Sequence, residues 1–393
     1  MKNRLTRKNK KSFNARGKTL KRHSNYLMVH STTPMAVEIL SKEFKPQKIS
    51  SYSPTINEKL ITIRSIPRSK LADCNNKTAF EMREPLKIGV GKEYFGKSCF
   101  DYYTEEAKHV LLKNLSANKH IDPYIVVPPV QIDSNCWFNT MFASIFISDK
   151  GRKFFHYFRQ LMIEGKQADG SQIPDKLRNA FALLNFAVDS ALTGNKFAYE
   201  MNTNNIIREI YEVIPDSYHE SLPYIKDVGE AGNPIRYYTN IINYLQNKSL
   251  QLLYISDCSS NWKERINKET KKSNHLPHII VMEFFDEKDK TAGNSGLVKN
   301  KPLAFTSNKG RYVLDSVVVR DKEQLHFCAT ITCEKKEMGY DGMSFHRLVP
   351  LEWKKYINSD FEWSFEGSNN TDGTPLRWNF THGYQMLIYY RSQ

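Results

Sequence analysis

The feature that most constrains this chain is a change of periodicity near residue 248. From about residue 121 up to that point apolar residues recur at three- and four-residue spacing; beyond it they fall in short runs rich in β-branched and aromatic side chains. Helical patterns lie at about 151–164, 175–193 (Leu177, Phe181, Leu184, Val188), 204–214 and 234–247, with another near 103–115. Strand patterns follow at LQLLYIS (250–256), PHIIVMEFF (277–285), YVLDSVVV (312–319), HFCATITC (326–333) and YQMLIYYR (384–391). A block of helices followed by a block of strands predicts an α+β domain with an antiparallel sheet, because a parallel sheet needs the two types to alternate. The domain is expected over 121–393, with its helical part at about 121–248 and its sheet part at about 249–393.

What precedes it reads differently. Residues 36–120, interrupted by Pro46, Pro54, Pro67 and Pro85, form an irregular extension. Residues 1–35 read as a basic, disordered tail: ten Lys or Arg fall within the first 22 residues, no Asp or Glu occurs before Glu38, and the whole chain has a net charge of +15. Such a tail suits contact with a polyanion, either nucleic acid or an anionic membrane, through residues 1–25. Six cysteines without a CxxC pair point away from a zinc ribbon or a dense disulfide framework and towards a reducing compartment. No apolar run approaches the roughly 20 residues of a membrane span. The expected setting is soluble and intracellular, cytoplasmic or nuclear.

The residues with chemical promise sit on either side of the change in periodicity. In DSNCWFNTMFASIFIS, Trp137, Met141, Phe142 and Ile145 recur at helical spacing and place Cys136 at a helix N-terminus. Unpaired N–H groups and the positive end of the macrodipole favour a thiolate there. Gln131, five residues earlier, is positioned to complete an oxyanion hole with the Cys136 N–H, with Asp133 and Asn135 as weaker candidates. A base is expected from the sheet. His326 opens a strand on which His326, Cys328, Thr330 and Thr332 share one face and Phe327, Ala329, Ile331 and Cys333 the other, so that one face can be buried and the other can line a cleft. Asp341, in the following turn, suits the task of orienting the imidazole, ahead of Asn358 and Asp360. His346 and His382 are alternative bases. A cysteine beside an aromatic residue is more often a small core residue than a nucleophile. The joint arrangement of Gln131, Cys136, His326 and Asp341 is what favours the catalytic reading.

With these residues in place, the chain resembles the ubiquitin-specific proteases over roughly residues 124–391. NCWFNT (135–140) resembles the second half of that family's Cys box, and PHIIVMEFF its Pro-x-hydrophobic strand. RYVLDSVVVRDKEQLHFCATITCEKKEMGYDG resembles its His box, and GYQMLIYYR its closing strand. DSNCWF also resembles the Asp-x-x-Cys-x-Phe box of the OTU deubiquitinases, but the long His box and terminal strand favour the first family. The resemblance implies a papain-like cysteine protease fold, Cys136 as nucleophile, His326 as base, Asp341 as orienting acid and Gln131 as oxyanion-hole side chain, with no cofactor. The partner it implies is ubiquitin or a ubiquitin-like protein. The sequence departs from the family at Gln131, where Asn is usual, in Asp-Ser-Asn before Cys136, in Leu-His-Phe around His326, and in lacking zinc-binding CxxC pairs.

The implied activity is thiol-dependent hydrolysis of peptide or isopeptide bonds, deubiquitinase-like, with loop 286–311 as a mobile lid. The rival is a protease-fold structural or scaffolding protein without activity, for example a virion component that binds through its basic tail. Divergent boxes, an Asn- and Lys-rich composition and a basic tail suit a protein of a large DNA virus.

Overall fold

The computed structural model describes residues 26–29 and 86–392, apart from 95–96, 119, 168, 196, 247–250, 256–260, 274–275, 285–299, 309 and 322–324. The basic tail at 1–25, most of the extension before residue 86 and most of the expected lid therefore lie outside the described residues. Tyr26–Val29 (β1), within the stretch expected to be a tail, pairs in parallel with Glu362–Phe365. Lys87–Tyr94 (β2) and Lys97–Asp101 (β3) form an antiparallel hairpin in the extension.

The helices lie where the apolar spacing placed them. They are Glu105–Ala117 (α1), Cys136–Phe142 (α2), Asp149–Phe154 (α3), His156–Glu164 (α4), Asp175–Thr193 (α5), Thr203–Val213 (α6) and Pro234–Tyr244 (α7). α5 stops at Gly194, which takes the left-handed conformation at φ 59°. A Cβ there would meet the Ile125 carbonyl oxygen at 2.0 Å, so the approach of that segment requires glycine. The single helix expected over 151–164 is two. Ser148 caps α3 by accepting from the Gly151 N–H at 3.1 Å, and the chain turns at Phe155 (φ −91°, ψ 8°) before α4 begins. The Phe155 ring packs edge-on against Phe146 and Tyr238, so apolar spacing carries straight through the break and conceals it.

The strands are Leu252–Ile255 (β4), Ile279–Phe284 (β5), Ala304–Ser307 (β6), Gly310–Arg320 (β7), Phe327–Cys333 (β8), Lys336–Tyr340 (β9), Leu348–Pro350 (β10), Glu362–Phe365 (β11), Trp378–Asn379 (β12) and Gln385–Arg391 (β13). The main sheet runs β10-β9-β8-β7-β13-β5-β4, with β6 paired to β7. It is antiparallel except for the β4–β5 pair, which is parallel. The expectation of a purely antiparallel sheet fails there because helix Trp262–Ser273 (α8) lies between those strands in sequence and supplies the crossover that a parallel connection needs. The α+β class itself holds.

Both faces of this sheet are covered. Phe327, Ala329, Ile331, Met386, Ile388 and Tyr390 join the helical layer in one core. Cys328, Leu387, Tyr389 and Val319 join a second core on the opposite face with Trp353, Trp363 and Trp378. Period-two alternation along β8 thus separates two cores, not a core from a cleft. The expectation that one face of this strand lines a cleft is corrected accordingly, since every residue of β8 is buried.

Candidate functional site

The site forms where α2, from the helical layer, packs across the His326 end of β8. Its two halves are tied by the segment that leads into α2. The Gln131 N–H donates to the Gly342 carbonyl at 2.9 Å, the Tyr340 hydroxyl donates to the Pro129 carbonyl at 2.8 Å, and Arg347 donates to the Pro128 carbonyl. A Cβ on Gly342 would stand 2.9 Å from the Gln131 nitrogen, so only glycine lets the strands close this far. The approach to the thiol and the turn carrying Asp341 are therefore one hydrogen-bonded unit, although some 200 residues separate them in sequence.

Cys136 is the first residue of α2 and half-buried. Its N-cap, Asn135, makes no side-chain bond to the first turn. Asn135 instead enters a buried amide network. Its Nδ2 donates to Thr203 Oγ1 at 3.0 Å and Asn204 Oδ1 at 2.8 Å, while its Oδ1 accepts from the Ile132 N–H and from Asn139 Nδ2. Thr203 Oγ1 completes the circuit to Asn139 Oδ1 at 2.8 Å. A satisfied buried network of this kind fixes one geometry, because each member displaced would leave a buried polar atom unpaired. Trp137, packed edge-on to Tyr237 at 4.8 Å, pins the same turn to α7. Asn135 and Asn139 stand one helical turn apart on one face, the sole sequence signal for this network; Thr203 and Asn204 carried none.

His326 immediately precedes β8 and is buried. Its Nε2 pairs with Asp341 Oδ1 at 2.6 Å, and the other carboxylate oxygen accepts from the Ser368 hydroxyl. The Cys136 side chain lies close enough to the ring to favour its charged form. Burial alone would drive the imidazole towards its neutral form; the Asp341 carboxylate beside it, with the contact from Cys136, overrides burial and raises its pKa to about 10. The backbone on each side is also held. The His326 N–H donates to Asp321 Oδ1 at 2.6 Å, and the Trp378 indole donates to the His326 carbonyl at 3.3 Å, its ring tilted over the imidazole at 5.7 Å.

The structure thus brings Cys136, His326 and Asp341 together. Gln131 is adjacent in chain, but its Nε2 donates to the Asp133 carbonyl at 3.1 Å and its Oε1 is buried without a partner among the described residues. Asp133 adopts φ 55° and accepts from Asn204 Nδ2 at 3.1 Å. The alternatives lie elsewhere in use: Asn358 is paired with the Lys301 backbone, Asp360 accepts from Asn379 and Thr381 and faces His382 at 3.6 Å, and the His346 carbonyl accepts from Ser344. Cys328 and Cys333 are fully buried, and burial pushes both thiols up, that of Cys333 to about 12. Cys99 is disulfide-bonded, which the spacing of the cysteines did not indicate; Cys74 and Cys258 lie outside the described residues.

Ser368 was missed at the sequence level, being a lone serine 27 residues beyond Asp341 with no patterned neighbours. Its loss would leave Asp341 Oδ2 buried without that donor. Ser368→Ala is therefore expected to lower unfolding free energy by about 1–3 kcal/mol. Chemical denaturation measures this, and an unchanged midpoint would show that the carboxylate is held without the serine.

No protein family's sequence model matches the chain, and no curated protein sequence matches it. Among solved structures it is similar to the SAGA Ubp8/Sgf11/Sus1/Sgf73 DUB module bound to ubiquitin aldehyde, at 9% identity and a TM-score of 0.37, covering 75% of this chain and 78% of that one. The same module bound to monoubiquitin gives 9% and 0.40, covering 75% and 77%. An essential yeast splicing factor gives 11% and 0.35, covering 78% and 84%. With identities this low and TM-scores below 0.5, the functional argument rests on the geometry of the site.

Proposed function

We propose that this chain is a papain-like thiol hydrolase of peptide or isopeptide bonds, with Cys136 as nucleophile, His326 as general acid and base, and Asp341 as the positioning carboxylate. The observation that carries this reading is the buried Asp341–His326 pair, close to Cys136 at the start of α2. A neutral imidazole in that position would gain little from a buried carboxylate; one held protonated to about pH 10 is ready to donate to a leaving amine.

In the reaction, Cys136 attacks as the thiolate, its proton already on the His326 imidazolium: the sulfur adds to the carbonyl carbon and the carbonyl oxygen becomes an oxyanion facing the first turn of α2. The C–N bond then breaks as the His326 imidazolium gives its proton to the departing nitrogen, leaving a thioester. Water adds to the thioester as the neutral imidazole takes its proton, the C–S bond breaks, and the carboxylate leaves. Asp341 keeps its charge throughout and fixes the ring's orientation. Gln131 joins the oxyanion hole by turning its amide about the last side-chain torsion, which brings N–H donors to where its oxygen now sits.

The substrate we assign is the C-terminus of ubiquitin or a ubiquitin-like protein, supported by the Cys-box and His-box resemblance of 135–140 and 311–342. Purified chain incubated with ubiquitin, and separately with related modifiers, each carrying a fluorogenic C-terminal amide, is expected to release the fluorophore from one of them. That release is expected to stop when Cys136 is replaced by Ala. Release by none of the modifiers, nor from isopeptide-linked dimers, would remove the assignment.

A further inference from the structure

At the end of β8 opposite His326, on the order of 20 Å away at the rise of an extended strand, the hairpin turn into β9 docks against α3. Beside this joint lies a cavity of about 890 Å³ whose wall includes Lys150, Arg152, Lys153 and Lys335 as well as Asp149 and Glu334. Glu334 and Lys335 both take positive φ, 47° and 62°, a conformation that side chains other than glycine adopt at a cost. The Asp149 carboxylate holds them there by accepting the Glu334 N–H at 2.7 Å and the Lys335 N–H at 2.9 Å.

The two acids of the wall are fully engaged. Besides the two amides, Asp149 accepts from Arg152 Nη2 at 2.9 Å. Glu334 accepts from Arg152 Nη2 at 2.6 Å and the Ile121 N–H at 3.1 Å, with His120 Nδ1 at 3.3 Å on its second oxygen. The three lysines are not. Among the described residues no carboxylate pairs with Lys150, Lys153 or Lys335, all three of which line the cavity. The Arg152 Nε–H, buried in its wall, has no hydrogen-bond partner there either. A buried donor without an acceptor costs about 1–3 kcal/mol, and in a wall that also holds three lysines without a carboxylate partner the acceptor that would satisfy it is an anion.

We infer that this cavity binds a compact, multiply charged phosphate compound through Lys150, Lys153, Lys335 and the Arg152 Nε–H. Its volume is that of a small-molecule site. Several charges are required of the ligand because separate ammonium groups must each find a phosphate oxygen, and their flexible stems suit an anion that presents oxygens on several sides. The site is separate from the Cys136 cleft and takes no part in the chemistry there.

The test is calorimetric titration of the full chain, at physiological salt, with inorganic tripolyphosphate, ATP and inositol hexakisphosphate in turn. At least one is expected to bind saturably and to raise the melting temperature, and which one does so identifies the source of the phosphates. Combined Lys150→Glu, Lys153→Glu and Lys335→Glu substitution is expected to weaken that binding about tenfold or more, while alkylation of Cys136 proceeds at the unaltered rate. Should the combined variant misfold, Lys153→Glu with Lys335→Glu, both on exposed residues, serves the same purpose. Replacing the ten Lys and Arg of residues 1–22 by Gln is expected to leave the affinity unchanged. Absence of saturable binding by all three compounds, or binding that is lost with the tail cations and kept when the cavity lysines are reversed, would overturn the inference.

Discussion

Ubiquitin, or the related modifier that is turned over, carrying a thiol-reactive group at its C-terminus is expected to form one covalent adduct, on Cys136, and His326→Ala is expected to slow its formation by about 10²–10⁴-fold. Selectivity over Cys328 and Cys333, the other free cysteines among the described residues, follows from burial. Cys328 and Cys333 show no solvent-accessible path to an electrophile and have thiols raised by desolvation, whereas Cys136 is half-buried at the start of α2. The effect of His326→Ala follows from its pairing with Asp341 and its nearness to Cys136. Peptide mapping by mass spectrometry reads the adduct directly. An adduct on Cys328 or Cys333, or a rate on Cys136 indifferent to His326, would mean that the pair is structural. Small alkylating agents are expected to prefer Cys136 over Cys328 and Cys333 without the modifier, since that preference comes from burial.

How much of this was legible beforehand depended on whether one segment contains its own cause. α5 was legible to the residue because its apolar face and its Gly194 stop are local. The break at Phe155 was not, because the force that bends the chain comes from Phe146 and Tyr238, which keep the spacing intact. Alternation along β8 showed two faces but not what covers each, and the second core that buries Cys328 is assembled from residues as distant as Trp363 and Trp378. At the site, the pairing of His326 with Asp341 was anticipated through the resemblance of residues 311–342 to a His box. Ser368 and the Thr203–Asn204 pair were not, since a single polar residue in a loop or at a helix start carries no period. The side-chain torsion that commits Gln131 to the Asp133 carbonyl is likewise invisible in a string of letters.

Asp341→Asn is expected to lower turnover by about 10²–10⁴-fold while leaving Cys136 in place to react with small electrophiles, because an amide can hold the ring only by offering its oxygen and cannot balance an imidazolium's charge. The same substitution carries a pH signature in stability. In the folded chain the His326 pKa is raised to about 10 from its ordinary 6.5, against the pull of burial, by Asp341 and by the contact from Cys136. A group raised on folding binds its proton more tightly in the native state, so its contribution is present in full below about pH 6.5 and disappears as pH rises through 10. The stability deficit of Asp341→Asn, on the order of a few kcal/mol, is therefore expected to be largest near pH 6 and to shrink steadily towards pH 10. Denaturation midpoints of the two proteins across that range measure it. A deficit independent of pH would show that Asp341 supports the fold through Ser368 and the neighbouring turn alone, and that His326 is neutral in the resting site.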